Sequence, residues 1–437
     1  MQRFIYTLFL TIVFFSGSQA QRVNKYIKQK NVERVIRQLT ADELNGRSAL
    51  RPVDIDKAAK VIESEFQKIG LSPLSGLTGY RQEFSRDRIS PVSAEVIIDG
   101  QRILPEKTLL VSEKASINLS SGLGIRRIDF DSTATNKDQY FFDKAFGLIQ
   151  DTSSMLVLVD SRFQRNFVEL SGYFRERFAS NKRSTKVFVI GPTNVSNYSV
   201  VGAQKKVSVR MANVAGMIKG KSKPDEFVVF SAHYDHIGIQ QRKINGDSIA
   251  NGADDDASGT TAVIELARYF KKMKNNSRTL IFVAFTAEEI GGFGSRYFSE
   301  QLNPDEVVAM FNIEMIGKPS KWGPSFAFIT GYEYSDFGDI LQKNLAGTPF
   351  QFKPDPYPEQ DLFYRSDNAT LARLGVPAHT ISTDQIDIDK YYHTVDDEIE
   401  TLDLQNITTT IRAIALSSRS IILGSDTPKR VNKTSIR

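Results

Sequence analysis

Phe227–Gly238, FVVFSAHYDHIG, and Asn251–Gly259, NGADDDASG, decide the fold. Phe227–Phe230 is an uninterrupted apolar run, as expected of a strand buried on both faces. It leads into an H-x-D pair, His233 and Asp235. A polar loop then delivers three adjacent carboxylates, Asp254, Asp255 and Asp256. Small residues follow, and Ala262, Val263, Leu266, Ala267 and Phe270 then fall at helical spacing. Open α/β sheets are built from units of strand, loop and helix, and they keep their chemistry at the C-terminal ends of the strands.

Working outward, the unit recurs. Leu280–Phe285 reads as a strand followed by Glu288 and Glu289, with a helix expected from Glu288 onward. Val307–Ile313 reads as a strand followed by Glu314. Phe326–Ile329 and Ala378–Ile381 are further strands, and the loop after the last carries His393 within YYHTVDDE. A closing helix puts Ile407, Ile411, Ile414 and Ile421 on one side. The fold class expected is α/β, with a mixed, mostly parallel sheet sandwiched by helices over residues 211–425. Residues 21–84 add an N-terminal helical part. Val23–Leu39 has helical spacing, and Asp54–Ile69 is a helix with Gly70 placed to end it.

From residue 85 the texture changes. Ala94–Ile98 and Arg102–Leu110 read as a hairpin through Asp99-Gly100. Ser153–Val159 and Lys186–Ile190 are apolar strands, and Phe163, Phe167, Leu170, Phe174 and Phe178 between them mark one helical face, giving a βαβ unit. Residues 85–210 contain no His and no carboxylate cluster, and read as an inserted smaller α/β domain. Residues 426–437 form a polar, basic tail without periodicity, expected to be disordered.

A formal net charge of +5 over 437 residues, with no basic cluster interleaved with aromatics, argues against nucleic acid. Met1–Ala20 reads as a cleaved secretory signal. Arg3 precedes the apolar Phe4–Phe15, and Ser18-Gln19-Ala20 gives a small-x-small cleavage site. The mature protein is therefore expected to be secreted or periplasmic, without stable membrane insertion. Nothing in the sequence sets its oligomeric state.

There is no Cys, so any metal must be held by His, Asp and Glu. His233, Asp235, the Asp254–Asp256 triplet, Glu288, Glu289, Glu314 and His393 all follow strands. At one sheet edge they would repel one another strongly. Divalent cations relieve that repulsion. Imidazole and carboxylate donors suit zinc best, with manganese or cobalt as alternatives. One carboxylate can bridge two ions, and two ions roughly 3.5–4 Å apart can together activate a water and polarise a carbonyl. Spacing does not say which member of the triplet would bridge.

The ordered motifs HYDHIG, GADDDASG, AFTAEEIGGFGS, NIEMIG and YYHT resemble those of the co-catalytic zinc exopeptidases of metallopeptidase family twenty-eight. That family includes secreted bacterial leucyl aminopeptidases, glutamate carboxypeptidases and, as non-catalytic relatives, transferrin receptors. The likeness is close over about 212–425, and LTADELNGR (Leu39–Arg47) resembles the family's start. It implies two zinc ions and a peptide substrate cleaved at its N-terminal bond. His233 and Glu314 would bind one ion, Glu289 and His393 the other, and Asp255 both. Asp235 would accept a hydrogen bond from His233 and orient it. Glu288 would be the general base toward a water held between the ions. His236 and His379 would support loop and strand. The middle section, 85–210, stands where some members carry a protease-associated insert. Two positions depart from the family pattern. Glu314 stands where the family usually has Asp, and Arg365-Ser366-Asp367-Asn368 stands where it commonly has S-D-H. The same fold also serves carboxypeptidases, single-zinc glutaminyl cyclases and receptor-like binding proteins, and those are the alternatives. The residues that would bind substrate are not legible.

Overall fold

A computed structural model describes residues 21–120, 122–175, 177–179, 184–244 and 246–436. The expected signal segment lies outside the described residues. The chain divides into two units, Met1–Phe84 with Met211–Arg437, and Ser85–Arg210.

The first unit is built on a mixed sheet. Its strands are β1 (Lys223–His233), β2 (Arg278–Phe285), β3 (Val307–Ile313), β4 (Phe326–Ile329), β5 (Gln351–Pro354) and β6 (Ala378–Ser382). They lie in the order β5-β4-β6-β3-β1-β2. β1 runs parallel to both neighbours, pairing Val228 with Leu280 and Val229 with Met310. β6 is parallel to β3, and β4 is antiparallel to β6. The outer side of β2 pairs antiparallel with residues 214–218. This is the expected fold class. The directions explain the site: β1, β2, β3 and β6 all point their C-terminal ends the same way.

The central strands are apolar on both faces because both faces are covered. Phe230 of β1 stacks within a row of rings, at 5.4 Å from Phe282, 4.8 Å from Phe311 and 5.5 Å from Phe270. Phe270 belongs to the helix α1 (Gly259–Met273), which covers that face together with Pro52–Ile69 and Leu404–Ser417. On the other face Val229, Ile281, Val283 and Met310 pack with Phe298, Leu371 and Ala372. Burying each such ring contributes roughly 1.5–3 kcal/mol.

The second unit holds a four-stranded sheet among its described residues. Met155–Val159 is parallel to both Lys186–Ile190 and Gly124–Ile128, and Thr108–Val111 lies at the edge. The helix Gln164–Arg175 links the two strands of the expected βαβ unit. Phe141, Phe163, Phe167, Leu170 and Phe188 form its core.

Local expectations fail at specific residues. Phe178 lies in the short strand Arg177–Phe178, beyond the helix. The strand expected over 102–110 is broken at Pro105, which starts a tight turn, Pro105–Lys107. The helix expected from Glu288 begins only at Phe293, because Gly291 and Gly292 have φ of 120° and 64°. The tail is ordered through residue 436, not loose. The Arg430 guanidinium donates to the Val307 carbonyl at 2.8 Å and the Pro304 carbonyl at 3.0 Å. Val431 is buried and donates its N–H to the Gly375 carbonyl. Among the described residues, no helix is long and apolar enough to cross a membrane.

Candidate metal centre

The Asp254–Asp256 loop sorts its three carboxylates by the backbone they meet. Asp256 accepts from the N–H groups of His233 (3.2 Å), Gly259 (3.0 Å) and Met315 (3.1 Å). Asp254 accepts from the Gly317 N–H at 2.6 Å and the Ser258 hydroxyl at 3.2 Å. Both are consumed in tying the loop to the ends of β1 and β3. Asp397, from the loop that carries His393, accepts from the N–H groups of Asp254 and Asp255 at 3.0–3.1 Å. The buried Arg47 guanidinium donates to the carbonyls of Tyr234 (2.8 Å), Leu39 (2.7 Å), Gly252 (3.0 Å) and Asn251. Asp255 is left free of structural duty, and its carboxylate turns to the imidazoles.

His233 Nε2 lies 3.1 Å from Asp255 Oδ1. His393 Nε2 lies 3.2 Å from Asp255 Oδ2 and 3.1 Å from Glu289 Oε2. Donor atoms of His233, Asp255 and Glu314 fall within 4.8 Å of one another. All five expected ligands therefore meet around Asp255. The structure adds a sixth group that the sequence reading set aside. His236 Nδ1 stands 2.6 Å from Glu289 Oε1 and 3.7 Å from Asp255 Oδ2, at 0% side-chain exposure. Its only signal in the sequence is adjacency to Asp235 in HYDH.

Asp235 differs from expectation. The His233 ring, through Nδ1, meets the Asp235 carbonyl at 3.1 Å, while the carboxylate lies 3.9 Å away. The Asp235 carboxylate instead accepts from the Glu288 N–H at 3.1 Å. The geometry follows from the turn after β1, which brings the carbonyl under the ring and sends the side chain toward the end of β2. His379, at the other side of the sheet, is bonded to Thr330 and Ser335 and takes no part.

Backbone strain gathers here. Ala287, Met315 and His393 have φ of 61°, 50° and 56°. They precede Glu288, follow Glu314 and carry the last imidazole. Left-handed backbone at non-glycine residues costs of order 1–3 kcal/mol and recurs at functional sites.

The charges are frustrated. Burial, then repulsion from Glu314, Asp367 and Glu289, pushes Glu288 well above the ordinary carboxylate range. Burial chiefly raises Glu314 to about 7 and Asp235 to about 7. Burial would also raise Asp255, but the His233 and His393 imidazoles beside it outweigh that and hold it well below the ordinary value. Burial opposes protonation of His393, yet Asp255 and Glu289 hold it at about 10. The buried His233 Nε2, His236 Nδ1, Glu289 Oε1 and Glu314 Oε2 make no hydrogen bond of normal geometry. Orphaned donors of this chemistry, gathered without a Lys or Arg partner among the described residues, fit divalent zinc.

An α/β sheet whose strand ends gather imidazoles and carboxylates around one shared aspartate defines a metal-binding protein. Residues 213–417 match the model of peptidase family M28, and that stretch belongs to the family. A probable zinc metalloprotease of Pyrenophora tritici-repentis is 35% identical over 111 residues, 25% of this chain and 25% of the relative. A probable leucine aminopeptidase of Trichophyton verrucosum is 32% identical over 205 residues, 45% of this chain and 52% of the relative. The chain thus spans between a quarter and about half the length of these curated relatives. The aminopeptidase from Aneurinibacillus sp. strain AM-1 has the same fold, with a TM-score of 0.55 at 17% identity over 92% of this chain and 95% of that one. BSAP, a zinc aminopeptidase from Bacillus subtilis, gives 0.54 at 16% identity over 92% and 97%.

Proposed function

We propose that the chain is a secreted zinc-dependent aminopeptidase that hydrolyses the first peptide bond of peptides with a free N-terminus. The observation that carries this is Asp255, whose carboxylate lies between two sets of imidazole and carboxylate donors. His233 and Glu314 would hold one zinc, Glu289 and His393 the other, and Asp255 both. Zinc at these donors supplies an acidified water and a polarised scissile carbonyl.

The chain's own residues do the rest. Glu288 takes the proton of the attacking water on its carboxylate and returns it to the leaving amine. Burial and the carboxylates around it raise its pKa, which makes it a stronger base than an exposed glutamate. Asp235 positions this base through the Glu288 N–H and fixes the His233 ring through its own carbonyl. A cavity of about 330 Å³ opens on Glu288 and Glu314 and is walled by Met315, Phe328, Leu362 and Ile386. Those apolar walls exclude water and accept the side chain of the first residue. The Met1–Ala20 segment supports export.

The test is release of amino acids from peptides with free and with acetylated N-termini by the zinc-loaded protein. The free peptides should be consumed and the acetylated ones spared. Equal rates on both would remove the aminopeptidase claim.

A further inference from the structure

His236 is the imidazole that the proposed ligand set leaves over. Its side chain is fully buried, and neither ring nitrogen makes a hydrogen bond of normal geometry among the described residues. Nδ1 stands 2.6 Å from Glu289 Oε1 and 3.7 Å from Asp255 Oδ2. A histidine used only for support looks different in this protein. Both nitrogens of the buried His379 meet oxygens, Thr330 at 2.9 Å and Ser335 at 2.7 Å. The His236 ring also has a built seat. Gly252 has a φ of 57°, and a Cβ there would lie 2.5 Å from the ring. Arg47 holds that seat from two sides. Its guanidinium donates to the Gly252 carbonyl at 3.0 Å, and its own carbonyl accepts the His236 N–H at 3.3 Å. No acceptor competes for either ring nitrogen, so the imidazole can keep its proton at Nε2 and present a lone pair at Nδ1.

We propose that His236 is a direct ligand, through Nδ1, of the zinc held by Glu289 and His393. This rests on the two-zinc reading above. That ion then has four protein side chains, His236, Glu289, His393 and Asp255, while the ion at His233 and Glu314 has three. Donors at the usual ~2.0–2.1 Å from a tetrahedral zinc stand about 3.3 Å apart. The spacings here bracket that value. They are 2.6 and 3.7 Å from His236 Nδ1 to Glu289 and Asp255, and 3.1 and 3.2 Å from His393 Nε2 to the same two residues. Donor atoms of His236, Asp255 and Glu289 fall within 4.8 Å of one another, as those of His233, Asp255 and Glu314 do. Four protein donors close a zinc site, and three leave one position open. The two ions are therefore unequal. One is fixed by the chain, and the other is open to water and substrate.

The test counts imidazoles on the bound ion by X-ray absorption at the zinc edge. The metal-free full chain given one equivalent of zinc should show two imidazoles per ion, and a second equivalent should bring the average to about 1.5. His236→Gln keeps an amide that can donate to Glu289 but supplies no imidazole, and should show one per ion at either loading. In chelator competition the variant's tighter zinc should weaken by more than about a hundredfold, beyond the roughly ten- to hundredfold that losing a ligand's hydrogen-bond partner costs. One imidazole per ion in the wild-type protein at one equivalent overturns the ligation and needs no variant to be read. If that protein also takes up a second ion, the two-zinc reading still stands. Two imidazoles in both wild type and variant overturn the ligation as well. A single zinc per chain, with the count falling from two to one in His236→Gln, supports His236 and overturns the two-zinc reading.

Discussion

Glu65 and Asp255 are both buried carboxylates of the same unit, at 1% and 2% exposure, and they are satisfied in opposite ways. Glu65 is met by Arg34 at 2.9 Å, Arg268 at 2.5 Å and Lys68 at 3.1 Å. Burial would raise its pKa, but those three bonds bring it to about 2. Asp255 is met by imidazoles, with no Arg or Lys bonded to it among the described residues, and its neighbours Glu288 and Glu314 are forced upward. One centre carries its own counter-charge. The other gathers like charges and leaves the counter-charge to something that binds. A buried acid is thus a functional signal only when no Arg or Lys answers it.

Removing metal should break this contrast most severely. Chelation should lower hydrolysis by on the order of a thousandfold or more, and zinc should restore it. It should also lower Tm, because an ion that binds only the folded chain stabilises it. Tm and activity across a zinc titration read both effects. Next in size, Glu288→Gln should cut kcat by about 10²–10⁴ while zinc content per chain stays at the wild-type level, measured by elemental analysis. Parallel loss of zinc would move Glu288 from base to ligand.

Glu65→Gln attacks the other side of the comparison. Removing the buried charge that the part-exposed Arg34 and Arg268 answer should cost about 2–4 kcal/mol in urea unfolding, with zinc content unaltered. His379 gives the smallest expected effect and the clearest pH window. Burial depresses it to about 4, so its contribution is present above its ordinary pKa of 6.5 and is lost as pH falls from there to about 4. The shift corresponds to about 3 kcal/mol at most. Unfolding free energies of wild type and His379→Gln should converge as pH falls through that window. A constant difference across it would assign His379 a packing role alone.

Much of the site was legible because the strands announce themselves. Val228–Phe230, Leu280–Phe285 and Val307–Ile313 are apolar runs, and the residues after each one are acidic or imidazole. Parallel pairing then gathers them without further information. What could not be read locally was the division of labour within DDD. Asp254 and Asp256 are distinguished from Asp255 by the groups that bond them, among them amides at residues 315 and 317, about sixty positions away. The motif resemblance singled out Asp255, while spacing could not. His236 was passed over because a second His beside an H-x-D pair has no spacing rule of its own. The tail was misread because low hydrophobicity stood in for disorder, whereas one guanidinium and one valine are enough to dock it.

The Asp397 carboxylate, which clamps the amides of Asp254 and Asp255, ties an early loop to one near the C-terminus. Most of the polypeptide must therefore be in place before a cradle for zinc exists. Metal capture becomes the final stage of assembly and cannot be its seed. Zinc added to refolding protein should leave the early fluorescence phases untouched and lock in only the last. An early phase quickened by zinc would mean that a partial cradle forms without its closing clamp.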